Sequence, residues 1–96
     1  MMVVVSYDVS TKDPNGSRRL RRVARACSDY GQRVQNSVFE CLVDPEHWAR
    51  LRNRLLDEID PSVDSLRFYF LGARYSRRTE HHGAKEPHDP QSPMIV

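Results

Sequence analysis

Asp8 is the first residue of the chain whose type and position suggest chemistry. It follows the segment VVVSY at residues 3–7, in which three consecutive valines predict a β-strand buried on both faces. A carboxylate at the end of such a strand must be solvated, paired or bound to a metal ion, because an unpaired buried charge is too costly. Asp also commonly opens loops, so the stretch alone leaves a turn residue and a functional residue as alternatives.

A group of arginines is the second candidate for chemistry. The net charge of the 96-residue chain is only +2, but arginines are concentrated between residues 18 and 33, and most acidic residues follow residue 40. Helical periodicity places four of them on one exposed face, and a fifth follows in the next predicted strand: Arg18, Arg21, Arg22, Arg25 and Arg33. Guanidinium groups bind phosphates through paired hydrogen bonds, so this pattern indicates an anionic polymer as partner, with a solvated helix face as the alternative.

The histidines and cysteines do not suggest a metal site of their own. His81, His82 and His88 lie in a polar, proline-containing segment that offers no fixed ligand geometry, so we interpret them as solvated. Cys27 and Cys41 lack the close spacing of a zinc site, and we interpret them as small core residues of a cytoplasmic protein. No apolar run approaches the length of a membrane span, and we expect no secretion signal.

Hydrophobic periodicity indicates the elements that must position Asp8 and the arginines. A strand over residues 2–7 is followed by a turn-rich loop and then by an amphipathic helix that stops at Gly31, the expected C′ residue. The Asp-Pro pair at residues 44–45 begins a second amphipathic helix, with Asp as N-cap and Pro in the first helical position. Residues 64–71 form a last strand with alternate apolar side chains on one side.

Residues 33–43 also have strand character, but their alternation breaks. Val34 and Val38 share one parity, whereas Phe39 and the apolar residues after it share the other. We therefore expect a bulge or a very tight turn near residues 36–37. The pattern leaves one kinked strand and two short strands as alternatives.

The order β-α-β-β-α-β predicts an α+β ferredoxin-like sandwich, in which an antiparallel sheet carries two helices on one face. We assign residues 1–80 to this domain and residues 81–96 to a flexible polar tail that ends in the apolar segment Met94–Val96. From Arg74 onward the chain has no period and is predicted to be mobile or extended. A domain of this size has a thin core and gains from forming a homodimer.

Several motifs together resemble those of the Cas2 family of CRISPR-associated proteins. That family has a strand ending in Tyr-Asp, a basic first helix, a stretch of the pattern YGxRxQxSVFE, and a strand that begins with Asp-Ser. The corresponding motifs are Tyr7-Asp8, residues 18–25, YGQRVQNSVFE at residues 30–40, and Asp64-Ser65. The resemblance covers residues 1–71, and the tail resembles the C-terminus of the branch attached to subtype I-C systems.

The resemblance implies a homodimer in which the first strands of two copies lie side by side and Asp8 faces its symmetry mate. Two carboxylates held close together require a cation, and Mg²⁺, with Mn²⁺ as an alternative, suits such oxygen ligands. The implied activity is a metal-dependent endonuclease that cuts single-stranded RNA, or duplex DNA in some family members, with Asp8 as the catalytic and metal-binding residue. The resemblance also places Tyr7, Arg33 and Phe39 near the site or its nucleic acid, and Ser10 is a further candidate. The family's helix arginine corresponds to Arg18 or Arg19, and the resemblance leaves both open. An aromatic residue in the context of Phe39 is also typical of a core, and a loop serine such as Ser10 is typical of a turn.

Two functions of different classes follow. One is the endonuclease; the other is a non-catalytic scaffold for CRISPR adaptation, which bridges two dimers of the Cas1 integrase and holds captured DNA along its arginines. Residues 94–96 suit addition as a strand to an exposed sheet edge, either on the sister subunit or on the integrase, and the resemblance favours the integrase. We favour the scaffold as the cellular role, with nuclease activity centred on Asp8 as a further implication of the resemblance. A small-molecule-sensing regulatory domain of the same fold is the remaining alternative, and the arginines argue against it.

Overall fold

The computed structural model describes residues 1–83; the predicted docking segment Met94–Val96 and His88 lie outside the described residues. The chain forms four β-strands, two α-helices and a short 3₁₀ helix. In chain order these are β1 (Met2–Asp8), α1 (Gly16–Tyr30), β2 (Gln32–Gln35), β3 (Val38–Leu42), α2 (Pro45–Glu58), β4 (Ser65–Gly72) and the 3₁₀ helix (Tyr75–Arg77).

The four strands form one antiparallel sheet in the order β2-β3-β1-β4. Strand β1 is central, with β3 on one side and β4 on the other, and the two helices pack against each other. This arrangement confirms the predicted ferredoxin-like α+β fold. The pairing of β1 with β3 ends at Ser6, so Asp8 at the end of β1 has a strand, β4, on one side only.

Burial alternates along β1 and defines two faces of the sheet. Val3, Val5 and Tyr7 point to the face that the helices cover, which we call the covered face, and all three are buried. Val4 is only half-buried and Asp8 is exposed on the opposite side, which we call the open face. The prediction that the valine run is buried on both faces is therefore wrong for a single chain, because the two helices lie on the same side.

The core lies between the covered face and the helices. Its members come mainly from β1, α1, β3 and α2 and include Val3, Val5, Tyr7, Val23, Cys27, Phe39, Cys41, Trp48, Leu51 and Leu55. Both cysteines are buried free thiols, and burial raises the pKa of each to about 12. These thiols are therefore protonated packing residues, as their spacing predicts.

The helix boundaries follow the predicted signals, with one difference in mechanism. Asp44 caps α2 by accepting a 2.8 Å hydrogen bond from the backbone amide of His47, and Pro45 occupies the first turn. Gly31 ends α1 but is extended, with φ −160°, so the left-handed conformation typical of a C′ glycine is absent. Glycine is needed there because a Cβ atom would lie 2.4 Å from the backbone oxygen of Glu40 and 2.6 Å from Sγ of Cys41.

The ambiguous segment at residues 33–43 forms two strands joined by a tight turn. Gln35 pairs with Val38, so only Asn36 and Ser37 lie between β2 and β3. The pairing also shifts by one residue between Arg33 and Gln35, which is a bulge. Both the expected turn and the expected bulge are present, and together they account for the change of parity.

The segment after β4 differs from the prediction. Instead of a mobile or extended chain from Arg74, the structure has a 3₁₀ helix at Tyr75–Arg77. Gly72 permits the change of direction because its φ is +76°. Arg78 then donates a 3.2 Å hydrogen bond to the backbone oxygen of Leu71, which gives this polar turn a fixed partner that periodicity alone does not reveal.

Candidate metal and nucleic-acid site

Asp8 lies at the end of β1 on the open face, opposite Ser65 of β4. Arg67 follows two residues later on the same side of β4 and pairs with Ser6 of β1. A cavity of about 600 Å³ runs along the edge strand β4; it is lined on the open face by Asp8, Ser65 and Arg67, and on the other side of the strand by Leu56 and Ile59 at the end of α2. The open face thus gathers a carboxylate, hydroxyl groups and a guanidinium group at one end of the sheet.

The guanidinium group of Arg67 is fixed by a neighbour on its own strand. Its Nη1 atom donates a 3.0 Å hydrogen bond to the hydroxyl of Tyr69, and its carbon lies 5.8 Å from the centre of that ring. Within residues 1–83, Arg67 forms no ion pair with a carboxylate. Its positive charge is therefore available to an anion that approaches the open face near Asp8.

The donor set around Asp8 suits a hard divalent cation only in part. Within the described residues there is no group of three or more His, Cys, Asp or Glu side chains arranged to hold a metal ion. One chain offers the exposed carboxylate of Asp8, with the hydroxyls of Ser6 and Ser65 on the same face. Mg²⁺ suits such a site because it retains several waters and usually takes one or two carboxylates together with substrate phosphates.

Tyr7 and Phe39 lie on the covered face, away from the open face that carries Asp8. Both are buried, and their rings stack with centroids 6.2 Å apart. Burial raises the pKa of Tyr7, and the nearby Arg33 opposes that rise. These contacts are those of core residues, so the supporting role that the resemblance gives Tyr7 and Phe39 stays a prediction.

Arg33 lies on the outermost strand, β2, and is exposed. Its guanidinium carbon is 5.0 Å from the centre of the Phe39 ring, on which it forms a cation–π contact. Since β3 separates β2 from β1, the structure does not bring Arg33 together with Asp8. The guanidinium group of Arg33 is accessible to a phosphate from solvent.

The four predicted arginines of α1 are all exposed, but they differ in their partners. Arg22 pairs with Glu58 at 2.9 Å, and Arg25 pairs with Asp29 at 3.6 Å. In the part of the chain that the structure describes, no ion pair engages Arg18 or Arg21. Among the described residues, this helix face therefore presents Arg18 and Arg21 without ion pairs, Arg25 in a long one and Arg22 in a short one, on the side of the sheet opposite to Asp8.

Arg19, the alternative to Arg18 for the family's helix arginine, has a different environment. Its side chain is 14% exposed and forms ion pairs with Asp13 at 2.8 Å and with Asp64 at 2.9 Å. Ser10, predicted as a supporting residue, joins this network, since its backbone amide donates to Asp64 at 2.9 Å. The only sequence signal for the network is the Asp-Ser motif at residues 64–65, which was interpreted as the start of a strand.

The protein is therefore a small α+β domain of the ferredoxin-like class, with an exposed carboxylate, that of Asp8, at the end of strand β1. The model of the family "CRISPR associated protein Cas2" matches residues 1–79. The chain belongs to this family.

Relatives and solved structures agree with that assignment. The "CRISPR-associated endoribonuclease Cas2" of Nitratidesulfovibrio vulgaris is 60% identical over 96 residues, covering 100% of this chain and 94% of that protein. The protein of the same description from Chlorobaculum tepidum is 59% identical over 96 residues, covering 100% of both chains. A crystal structure of Streptococcus pyogenes Cas2 at pH 6.5 superposes with a TM-score of 0.77 and 55% identity, covering 86% of this chain and 100% of that chain.

Within the described residues, no helix is both long enough and apolar enough to span a bilayer.

Proposed function

We propose that this chain is a CRISPR adaptation protein that binds nucleic acid, bridges dimers of the Cas1 integrase, and carries a metal-dependent endoribonuclease site centred on Asp8. The observation that carries the proposal is the exposed carboxylate of Asp8 on the open face of a Cas2-family domain. Two relatives with about three-fifths identity are described as endoribonucleases, which favours RNA as the substrate of the nuclease activity. A small-molecule regulator has no comparable support.

The open face supports a homodimer. Half-buried Val4 and Val38 lie on it together with Tyr69, whose side chain is 47% exposed despite its apolar ring. Burial of such surface contributes about 25 cal/mol of free energy per Å², which would stabilise a second copy packed there. Both edges of β1 are already paired with β3 and β4, so a second copy would stack its open face, and its β1, on this one. That packing would bring two Asp8 carboxylates together, which supplies the second carboxylate that one chain lacks.

In this arrangement Asp8 and its symmetry mate would hold Mg²⁺ or Mn²⁺, with the hydroxyls of Ser6 and Ser65 in the surrounding shell. The ion, when bound, activates a water and offsets the charge that develops on a phosphodiester. The chain itself contributes orientation: Arg67 binds a phosphate oxygen next to Asp8, and Tyr69 holds its guanidinium group in place. Arg33 and the exposed arginines of α1 bind phosphates of longer nucleic acids.

The scaffold role relies on the surfaces away from Asp8. The guanidinium groups of Arg18 and Arg21 face solvent on α1, where they can follow the backbone of captured DNA. The tail at residues 81–96, with its apolar end, is proposed to dock on the integrase; its sequence resembles the C-terminus of the branch attached to subtype I-C systems. These roles belong to a cytoplasmic protein that acts on DNA.

Spacer acquisition in cells that carry the cognate integrase tests the proposal. We expect Asp8→Asn to retain acquisition within about twofold of wild type, because bridging does not need the carboxylate. The double variant Arg18→Gln, Arg21→Gln should lose acquisition at least about tenfold, since each lost phosphate contact weakens binding. Acquisition unaffected by the double variant would contradict DNA binding by α1, and loss of acquisition in Asp8→Asn would make the nuclease part of adaptation.

A further inference from the structure

Three chain segments around Asp8 converge on the carboxylate of Asp64. Asp64 directly precedes β4, and its side chain is 0% exposed. One of its oxygens accepts a 2.9 Å hydrogen bond from the backbone amide of Ser10. The other accepts a 2.8 Å bond from the amide of Asp60 and a 2.9 Å bond from Nε of Arg19. The loop after β1, the loop before β4 and helix α1 are therefore joined through one buried group.

Arg19 completes this cluster, and four of its five N–H donors are directed at partners within the protein. Its Nη1 and Nη2 atoms donate to the two carboxylate oxygens of Asp13 at 2.9 and 2.8 Å. Nη2 also lies 3.3 Å from the backbone oxygen of Ser10. Every nitrogen of the guanidinium group thus has a partner inside the protein, in contrast to the solvent-facing Arg18 next to it.

A buried ion pair of this kind fixes the relative positions of the groups it joins more than it adds net stability. Removing two charges from water is costly, and their attraction offsets that cost only when the remaining donors and acceptors are satisfied. That condition holds here, since no buried side-chain nitrogen or oxygen among the described residues lacks a hydrogen-bond partner. The satisfied network therefore favours the observed arrangement of the three segments it joins.

The two backbone segments that flank Asp8 are both held by Asp64. Ser10, whose amide Asp64 binds, is two residues beyond Asp8 along the chain. Ser65, which follows Asp64, is the residue that pairs with Asp8 across the sheet. A shift of Asp64 would consequently move both the strand end that carries Asp8 and the strand that faces it.

We infer that Asp64 and Arg19 form a positioning unit that fixes the carboxylate of Asp8, and that Arg19 is not a nucleic-acid contact. The expected effect on metal affinity rests on the proposed function, whereas the fixed position of Asp8 does not. Outer partners that orient metal ligands typically change metal affinity by about 10–100-fold when mutated. Asp64 holds the backbone on both sides of Asp8, so we expect an effect of that size although Asp64 does not touch Asp8 itself.

The test uses the full-length protein with three single variants. Asp64→Asn keeps the shape of the side chain and removes its charge. Arg19→Lys keeps the positive charge but cannot reach both carboxylates with a planar fork. Glu58→Gln is the matched control. Glu58, at the end of α2, is the acidic partner of Arg22, which lies on the same helix as Arg19 but outside the Asp64 network.

Two readouts separate positioning from general stability: amide hydrogen exchange at Ser10, and Mn²⁺ affinity per folded molecule measured by electron paramagnetic resonance. We expect Asp64→Asn to speed exchange at Ser10 at least about tenfold and to weaken Mn²⁺ about tenfold or more. Arg19→Lys should show smaller changes of the same kind, and it serves as the test if Asp64→Asn does not fold. KM for single-stranded RNA should stay within about twofold in both variants, since the exposed arginines are unchanged.

The inference is overturned if exchange at Ser10 and Mn²⁺ affinity in both variants match those of Glu58→Gln. It is equally overturned if Arg19→Lys mainly raises KM for RNA, because Arg19 would then contact the nucleic acid. If wild-type protein binds no Mn²⁺, the proposed metal site fails, and exchange at Ser10 still decides whether Asp64 and Arg19 fix the end of β1.

Discussion

The two faces of β1 differ in what surrounds them, although their residues alternate along one short strand. Val3, Val5 and Tyr7 are enclosed by two helices, whereas Val4 and Asp8 look away from them. Aromatic and aliphatic packing fills the first face, and the second carries the exposed carboxylate. The period of two in a strand thus separates the residues that stabilise the domain from the residue that is available for chemistry.

The difference has consequences for how substitutions should act. On the covered face a truncated side chain leaves a cavity among close-packed neighbours, and the domain is small, so the cost is large relative to its total stability. On the open face a change alters what the sheet can bind, including a second copy. Stability and function should therefore respond to different residues of the same strand.

The largest expected effect is on Phe39, which lies on the covered face and is 1% exposed. Phe39→Ala should lower the free energy of unfolding by about 3–5 kcal/mol, or abolish cooperative unfolding, because it empties the space between Tyr7 and Arg33. Phe70→Ala is the control: Phe70 pairs with Val3 and so lies on the same face, but it is 60% exposed and contacts the ring of Trp48 edge-on, and its loss should cost about 1 kcal/mol. Equal losses in urea denaturation of the two variants would show that burial does not set the cost of a substitution on the covered face.

A smaller and sharper comparison uses two adjacent valines. Val5 is fully buried on the covered face and Val4 is half-buried on the open face. We expect Val5→Ala to cost about 2 kcal/mol at any protein concentration, because each buried methyl group contributes about 0.8 kcal/mol and a cavity adds to the loss. The cost of Val4→Ala should be about half of that or less in the monomer.

The same pair of variants reports on the homodimer. If a second copy covers the open face, the cost of Val4→Ala rises with protein concentration, because dimer formation is linked to folding. The cost of Val5→Ala should not change. Urea midpoints measured at two widely separated concentrations decide this, and a Val4→Ala effect that is independent of concentration would argue against a second copy on this face.

A still smaller effect on the free energy of unfolding is expected at low pH, from Asp64, whose carboxylate binds the loop that follows β1. Burial favours a higher pKa for Asp64, but hydrogen bonds from Arg19 and from the backbone amides of Asp60 and Ser10 outweigh it, so the pKa lies below its ordinary value of 3.8. A carboxyl group with a lowered pKa in the folded state stabilises the protein above its unfolded pKa, and that contribution disappears as the pH falls through the folded value.

The free energy of unfolding of wild type should therefore fall as the pH drops below about 4, and Asp64→Asn should lose less over the same range. Asp29 and Asp44, whose pKa values are also lowered, contribute equally to both proteins. Urea titrations at several pH values between neutrality and strong acid measure the difference. Parallel curves for wild type and variant would show that Asp64 gains no ionic stabilisation from Arg19.

Much of the fold follows from local signals in the sequence. The Asp-Pro pair at residues 44–45 begins α2 because it satisfies the first amides of a helix, and the broken alternation at residues 33–43 marks the hairpin. Asp8 is recognisable as a charged end to an apolar strand. Each of these signals depends on residues within a few positions of one another, which is why the sequence alone reveals them.

The features that the sequence did not reveal depend on distant partners. Arg18 and Arg19 are adjacent and chemically identical, and only the structure shows that Arg19 binds Asp64, 45 residues away. The burial of β1 on one face only is a second example, because three consecutive valines do not indicate which face of the sheet the helices cover. Periodicity gives the alternation of a strand, whereas partner choice is a property of the assembled domain.

The measurement that tests the central claim most directly compares stability and RNA cleavage in one variant, Asp8→Asn. The control is Asp57→Asn, which changes an exposed carboxylate on α2. We predict that Asp8→Asn reduces Mg²⁺-dependent cleavage of single-stranded RNA to background while its free energy of unfolding falls by no more than about 0.5 kcal/mol, as for other surface substitutions. Cleavage at the wild-type rate, or a loss of stability as large as that of Val5→Ala, would contradict the assignment of chemistry to the open face.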